Sequence, residues 1–464
     1  SYDKAILLNP YLAEAYSNRG IALNKLKRYE EAIASFDQAI ALKPDLAEAC
    51  SNRGAALNGL RRYDEALASF DKAIALDSSL AEAHTNRGVA LSGLKQHLEA
   101  IASCDRAIAL KPDFANAYHD RALVLQALKR YDEATASFDK AMALDPEYVD
   151  AHWNKGLLQI LLGKYEEGWK LYEWRWKRAD IRRFGRNFRQ PLWLGKEDLA
   201  GKTILLHAEQ GLGDAILSSR YVPMVEATGA RVVVEVPSSL TGLISTLSKS
   251  IRVIDRGSPL PDFDFHCPLM SLPLAFKTTV STVPARIPYL AVDPVRKQQW
   301  QERLGAKIKP RIGLVWSGSG KYTGRADFRR DISFSEFRSI ARFDYEYFCL
   351  QKEIRSADLE LLQDRRSIGI FDSELKDFAD TAALASEMDL VISVDTAAAH
   401  VAGALGKPVW ILLPEPPDFV SMTERQDSPW YPTARLFRQP QMGDWASVIA
   451  RVAAELQARF PRDS

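Results

Sequence analysis

A 34-residue period opens this chain and leaves it few folds to choose from. At that spacing the residues read Tyr16-Ser17-Asn18-Arg19-Gly20, Cys50-Ser51-Asn52-Arg53-Gly54, His84-Thr85-Asn86-Arg87-Gly88, Tyr118-His119-Asp120-Arg121-Ala122 and His152-Trp153-Asn154-Lys155-Gly156. Leu23, Leu57, Leu91 and Leu125 follow, then Tyr29, Tyr63, His97, Tyr131 and Tyr165. Ala32, Ala66, Ala100 and Ala134 recur, with Phe36, Phe70, Cys104 and Phe138 four positions further on. Units close at Pro44, Ser78, Pro112 and Pro146. A unit of this length is one supersecondary element that cannot bury its apolar face alone, so neighbours must stack into a solenoid. Gly20 and Ala32 are expected to let the two helices of a unit approach closely. Leu23, Tyr29 and Phe36 fill the space between units.

The pattern resembles the tetratricopeptide repeat, a helix–turn–helix that stacks into a right-handed superhelix, over roughly residues 1–175. Its asparagines stand out, because a polar residue recurs on the inner helix of each pair. A side-chain amide carries donors and an acceptor, so a column of them can hold the backbone of an extended peptide. The other reading is that each amide caps or solvates its helix. The repeats look like those of the protein O-GlcNAc transferases, where a similar ladder lines the concave face. That resemblance marks Asn18, Asn52, Asn86 and Asn154 as peptide-binding, with Asp120 breaking the ladder. Tyr2, Ala5 and Pro10 are in phase with Phe36, Ala39 and Pro44, so Ser1 is expected to fall inside a repeat, with more chain upstream.

Composition narrows the function classes. Sixty-one Lys and Arg against sixty Asp and Glu leave a net charge of +1, so no global field attracts nucleic acid or an anionic membrane. Cys50, Cys104, Cys267 and Cys349 lie far apart, as expected in a reducing, cytoplasmic compartment. No apolar run has the length of a membrane span, and no signal peptide is visible. Tryptophans crowd residues 153–193, where a packed seam between domains is expected. The run Arg175-Trp176-Lys177-Arg178-Ala179-Asp180-Ile181-Arg182-Arg183, continuing to Arg186 and Arg189, reads as a solvated helix face rather than a nucleic-acid surface. It forms a basic and aromatic junction over 176–200.

From Lys202 the periodicity changes to apolar strands separated by helices, which implies parallel sheets covered on both faces. Strands are expected at Thr203–His207, Arg231–Val236, Ile251–Ile254, Arg311–Trp316, Tyr345–Gln351, Asp389–Val394 and Pro408–Leu413, with a last helix over Gly443–Phe460. Two Rossmann-like lobes follow, 201–300 and 301–464, with a cleft between them. Two strand-to-helix turns place chemistry at that cleft. In Gln210-Gly211-Leu212-Gly213-Asp214, the glycines allow a ligand to approach the backbone, and the helix start favours an anion. In Val394-Asp395-Thr396-Ala397-Ala398-Ala399-His400, Thr396 can present hydroxyl and N–H to a phosphate, with His400 one turn along the same face.

In this order, together with Trp316-Ser317-Gly318-Ser319 and Asp427-Ser428-Pro429-Trp430-Tyr431-Pro432, the two turns resemble the heptosyltransferase-like glycosyltransferases (family 9). A tetratricopeptide array fused to such a domain is a familiar bacterial arrangement. The resemblance implies a multidomain chain, an all-α solenoid followed by an α/β GT-B fold. It also implies an inverting transfer from a nucleotide-diphosphate sugar, with no cofactor and no metal. Asp214 maps to the general base. Asp395, Thr396 and His400 map to the donor pyrophosphate site, which Gly211, Gly213 and Ser317 also border. A basic residue after the first carboxyl-lobe strand is Lys321, Arg329 or Arg330. The acceptor, recruited by the repeats, could be a protein. Three other readings remain beside this one. Asp214 could simply cap its helix, where the dipole would lower its pKa, leaving Glu209 or Asp264 as base. Asp262-Phe263-Asp264 could hold a metal or touch the acceptor. The whole domain could be a non-catalytic scaffold.

Overall fold

The computed structural model describes residues 2–178, 181, 185–318, 330–362 and 368–461. The chain divides into two compact units, residues 1–158 and 159–464. The first unit is all helical: α1 (Tyr2–Leu8), α2 (Ala13–Lys25), α3 (Tyr29–Leu42), α4 (Ala47–Gly59), α5 (Tyr63–Leu76), α6 (Ala81–Gly93), α7 (His97–Leu110), α8 (Ala115–Ala127), α9 (Tyr131–Leu144) and the start of α10 (Val149–Leu161). Each first helix packs on the second helix of its own repeat, and successive first helices also touch one another. The first helices therefore line the inner face.

The repeated residues explain that packing. A Cβ added at Gly20 would stand 2.6 Å from the Phe36 ring, and one at Gly54 would stand 2.7 Å from Phe70. At these two positions the missing Cβ leaves room for the aromatic ring of the partner helix, whereas the fourth unit sets Ala122 at the position facing Phe138. In the third unit the phenylalanine is replaced by Cys104, whose sulfur would lie 2.8 Å from a Cβ at Gly88. First helices end at Lys27, Arg61, Lys95 and Lys129, all with φ between 60° and 64°. In each case the next N–H donates back to the recurring leucine carbonyl, as in Arg28 N to Leu23 O at 2.9 Å and Arg62 N to Leu57 O at 3.0 Å. This is the Schellman closure, built here without glycine.

The basic residue beside each asparagine is structural. Arg53 reaches Asp37 at 2.6 Å, Arg87 reaches Asp71 at 2.7 Å, Arg121 reaches Asp105 at 2.7 Å and Lys155 reaches Asp139 at 2.7 Å, each on the preceding unit. Arg53 and Arg121 also donate to Ser69 and Ser137 of their own units, at 2.7 and 2.8 Å. Part-exposed pairs of this kind contribute about 0–1 kcal/mol each. They set register more than stability.

The second unit holds two parallel sheets. The four-stranded sheet has β1 (Thr203–His207), β2 (Arg231–Val236), β3 (Arg252–Asp255) and β4 (Phe265–Pro268) in the order β3-β2-β1-β4. The six-stranded sheet has β5 (Arg311–Val315), β6 (Glu346–Cys349), β7 (Gly369–Ile370), β8 (Leu390–Val394), β9 (Val409–Leu413) and β10 (Ala434–Arg438) in the order β10-β9-β8-β5-β6-β7. That is the doubly wound order, and the first sheet is its smaller counterpart. β5, β8 and β9 are buried at every position, which is why they read as unbroken apolar runs. Strand order reverses between β1 and β4 in one lobe and between β5 and β8 in the other. Crevices at those switch points are where open α/β sheets bind ligands. The fold is thus an all-helical solenoid followed by an α/β region of GT-B-like build.

The junction differs from its sequence reading. The unit boundary falls at Leu158–Gln159 rather than near 175, and α11 (Tyr165–Tyr172) packs within the second unit. Trp169 lies edge-on to Tyr165, Tyr172, Phe419 and Trp430, and the Trp430 indole donates to Tyr165 Oη at 3.1 Å. Arg175, read as part of a solvated face, is fully buried between the Tyr172 and Trp176 rings, each 4.6 Å away. Its charge is met by Glu173 at 2.5 Å and Glu209 at 3.1 Å. Asp180, Arg182 and Arg183 lie outside the described residues.

Because Phe70 is wholly buried against Gly54, Phe70→Ala is expected to destabilise the repeat array by about 3–5 kcal/mol. Arg87→Ala, which removes one part-exposed pair, is expected to stay within about 1 kcal/mol. Urea unfolding followed by helical circular dichroism checks both.

Candidate functional site

The first switch-point turn closes on itself. Gly211 is the N-cap of the helix Leu212–Ser218, and its N–H donates to Oδ2 of Asp214 at 3.0 Å. The anion favoured at this helix start is therefore the Asp214 carboxylate of the same turn. Gly213 has a different task. A Cβ there would lie 2.8 Å from Cδ2 of His400, so the bare backbone lets the helices Leu212–Ser218 and Ala397–Ala404 of the two lobes meet. The two motifs, far apart in sequence, face each other across the lobe boundary.

The second turn is open where the first is closed. Thr396 is the N-cap of Ala397–Ala404 but makes no side-chain cap bond; its hydroxyl lies 3.1 Å from that of Ser393. The first N–H groups of the helix have no intrahelical partner by construction. Arg330 Nη1 donates to the carbonyl of Asp395 at 3.1 Å, which brings a guanidinium to the same turn. Of the three basic candidates, Arg330 is placed here; Lys321 and Arg329, with Ser319, lie outside the described residues. Ser317 is buried and accepts from Gln351 Nε2 at 2.9 Å, while Gln351 Oε1 accepts the Trp316 N–H at 2.6 Å. Gln351 thus pins the loop after β5, a role the sequence pattern did not signal.

Charge at this junction departs from its solution behaviour. Burial, then the nearby Asp418 and Asp395 carboxylates, push the Asp214 pKa up to about 7, with the Gly211 N–H and Arg330 opposing. The helix dipole was expected to lower it; desolvation outweighs the dipole. Burial also raises Asp395, against the pull of Arg330. His400 goes down to about 3 through burial, Arg220 and Arg330, so its imidazole is neutral at physiological pH. Its Nδ1 lies 2.9 Å from Tyr431 Oη, and its Nε2 lies 3.7 Å from Asp395 Oδ1. Asp395 accordingly orients His400 and Arg330 through its carboxylate and carbonyl. Asp418 and Tyr431 are the neighbours that sequence reasoning missed, although Tyr431 lies inside the Asp427–Pro432 motif.

The reserve candidates have other partners. Glu209 is buried, with a pKa lifted to about 7 by burial, and it faces Arg175. Beside it, Gln210 Nε2 donates to Tyr172 Oη at 2.6 Å, tying α11 to the glycine turn. Asp264 stands at the amino end of β4, where its carboxylate accepts from Thr203 N at 2.7 Å and fixes β4 to β1. That edge is opposite the carboxyl-end crevice, so Asp264 is structural there. Asp262 is exposed, and no cluster of acidic, His or Cys residues able to hold a metal occurs among the described residues.

On the repeats, the side chains of Asn18, Asn52 and Asn86 make no hydrogen bond among the described residues, and Asn18 is exposed. The ladder changes at the fourth rung. Asp120 pairs with His119 Nδ1 at 2.8 Å, and Asn154 is bonded to His119 Nε2 at 3.0 Å.

Comparison with known proteins follows the same division. Residues 13–46, 47–80 and 81–114 each match the tetratricopeptide repeat, and residues 127–163 match a further TPR repeat model. Residues 376–418, which contain β8, the Thr396–His400 turn and Asp418, match glycosyltransferase family 9 (heptosyltransferase). Stretches similar to TPR repeats and to glycosyltransferase family 9 thus lie in one chain. It is 29% identical over 326 residues to Protein FlbA of Caulobacter vibrioides, covering 62% of this chain and 52% of that protein, so it spans about half the length of this curated relative. Among solved structures, the array is similar to YrrB, described as a TPR protein with an unusual peptide-binding site (25% identity, 38% of this chain, 91% of that one, TM-score 0.30). It is also similar to PilW, a type IV pilus biogenesis factor (26% identity, 40% and 84%, TM-score 0.35). No helix among the described residues is long and apolar enough to cross a membrane.

A carboxyl whose pKa rises on folding binds its proton more tightly in the native state. Its contribution to stability therefore falls as pH climbs from the unfolded value near 4 towards about 7, and is level above that. Asp214→Asn keeps an acceptor for Gly211 N–H without the charge. It is expected to be more stable than the parent by at least about 1 kcal/mol at pH 8, with the gap closing below pH 4. Thermal unfolding of both proteins across that range reads the difference directly.

Proposed function

We propose that this protein is an inverting glycosyltransferase that moves a sugar from a nucleotide-diphosphate donor to an acceptor held by the repeats. The observation that carries the reading is the meeting of the two switch-point turns. One presents a carboxylate with a pKa of about 7, and the other presents an open helix start beside a guanidinium. The family 9 match over 376–418 supports it, since that stretch supplies the second turn.

In this mechanism the donor diphosphate lies against the N–H groups at Ala397 and Ala398 and against Arg330. Asp214 takes the proton from the acceptor hydroxyl as its oxygen attacks the anomeric carbon from the face opposite the leaving group. The new C–O bond forms, the bond to the diphosphate breaks, and configuration inverts. A base whose pKa lies near the working pH is both available and strong enough for the task. The developing negative charge on the diphosphate is met by the helix start, Arg330 and the neutral His400 as hydrogen-bond donor. Gly211 and Gly213 shape the turn and the lobe contact, and Ser317 holds its loop. Fixed dipoles and a guanidinium replace a divalent ion in this scheme.

Transfer and donor hydrolysis, assayed over a panel of nucleotide sugars in EDTA, test the reading. Asp214→Ala is expected to lower kcat by about 10²–10⁴-fold with donor affinity intact. Arg330→Ala is expected to weaken donor binding by about 1.5–3 kcal/mol. A protein that binds a donor yet never turns it over would be a scaffold instead. Activity abolished by EDTA and restored by manganese would overturn metal independence.

The repeats are assigned to acceptor capture, because three inner-face amides have donors and acceptors uncommitted within the described residues. Replacing Asn18, Asn52 and Asn86 together by Ala is expected to weaken acceptor binding with helical content unchanged. Unchanged binding by calorimetry, or loss of helix by circular dichroism, would make the ladder structural.

A further inference from the structure

One buried arginine has no part in the mechanism above. Arg220, in the turn after the helix Leu212–Ser218, belongs to the first lobe but grips the second. Its Nε donates to Leu217 O at 2.8 Å. Its Nη1 donates to Trp430 O at 2.5 Å and Pro284 O at 3.3 Å, and its Nη2 donates to Tyr289 Oη at 3.3 Å. The guanidinium carbon lies 4.8 Å from the Tyr289 ring centre, 5.2 Å from that of Trp430 and 4.7 Å from that of Tyr431. Such a cation is held by backbone carbonyls and ring faces, with no carboxylate in contact among the described residues.

The aromatic ring it holds touches His400. Tyr431 Oη lies 2.9 Å from His400 Nδ1 and 3.3 Å from Tyr289 Oη, and Tyr289 donates to Ile216 O at 3.0 Å. With the Tyr289 proton committed to that carbonyl, two arrangements satisfy the group. Tyr431 donates to His400 Nδ1, leaving the ring proton on Nε2. Alternatively, His400 donates from Nδ1 to Tyr431, which in turn donates to Tyr289. Two distances choose between them. The second needs a hydrogen bond from Tyr431 to Tyr289, and that is the longer contact, at 3.3 Å against 2.9 Å to His400. Nε2 lies 3.7 Å from Asp395 Oδ1, an oxygen that attracts an N–H when the carboxyl is ionised beside Arg330. The edge of the ring carrying Nε2 also faces Gly213, 3.2 Å from the position of a Cβ there. A proton on Nε2 thus lies between Gly213 and Asp395, where the two turns meet.

We propose that Tyr431 is a positioning residue which donates to His400 Nδ1 and fixes the imidazole in its Nε2–H form, and that Arg220 holds Tyr431 in place from the opposite lobe. The consequence for turnover rests on the glycosyltransferase reading: His400 then offers the leaving diphosphate an N–H without carrying charge, and a closed lobe pair is needed to keep it so. The tautomer itself does not depend on that reading.

Nitrogen NMR of the histidine-labelled full chain tests the assignment, with the His400 signals identified by their loss in His400→Gln. The parent should show protonated Nε2 and bare Nδ1. Tyr431→Phe, which removes one oxygen and keeps the ring against Arg220, should lose that single pattern and give a mixture of tautomers. Tyr289→Phe should leave it unchanged. Protonated Nδ1 in the parent, or a switch in Tyr289→Phe, would show that the proton chain runs the other way and overturn the proposal. If the protein is a transferase, Tyr431→Phe should also lower kcat about 3–10-fold, the loss of one neutral hydrogen bond, with donor KM nearly unchanged. An unaltered tautomer with an altered kcat would assign Tyr431 to packing alone. Absence of turnover in the parent would sink the transferase reading and leave the tautomer result standing.

Discussion

The contact between Gly213 and His400 is the constraint on which the second unit depends. Two Rossmann-like lobes each form a crevice where their strand order reverses; Asp214 comes from the first, and Arg330, Asp395 and His400 come from the second. Bringing the helices that follow β1 and β8 together puts a carboxylate, an imidazole and a guanidinium into one small volume. A glycine at 213 is required because any Cβ would meet the ring. The polar groups gathered there are desolvated by the same contact, which is why Asp214 rises and His400 falls in pKa without a change in the residues themselves.

Beneath that surface contact lies a second layer of buried polar groups. Arg175 is held by Glu173 and Glu209 under the glycine turn, and Tyr172 bonds Gln210 from α11. Arg220 works from the opposite side, on the aromatic tail residues. Buried charges persist only when paired or hydrogen-bonded, so each of these fixes a geometry that apolar packing would leave loose. The turn bearing Asp214 is held from three directions: by its own helix, by α11 and by the other lobe.

The sequence made the repeats, the alternating strands and both turns legible, because each depends on local spacing. Thr203–His207 and Arg231–Val236 match their expected bounds, since an apolar run flanked by turn residues has clear ends. β10 escaped because it is a strand at the edge of its sheet carrying Arg435 and Arg438, and β7 because two residues make no period. The helix start alone points to the wrong sign for the Asp214 shift, since burial by the folded second unit, and then the carboxylates of residues 418 and 395, outweigh it. Arg175 looks solvated in sequence for the same reason: its partner Glu209 lies 34 positions away. What spacing cannot convey is which side chains meet across a fold, and the site is made of such meetings.

The pairing of each repeat's basic residue with an acid sixteen positions earlier has a further consequence. The bond always reaches from one unit to the one before it, and every unit carries both halves of the lock. Insertion or deletion of a whole 34-residue unit therefore leaves each junction chemically the same. A gene for such an array can lengthen or shorten by unequal recombination without inventing a new interface. The reach of the inner face can then drift over generations while the helix packing that supports it stays unchanged.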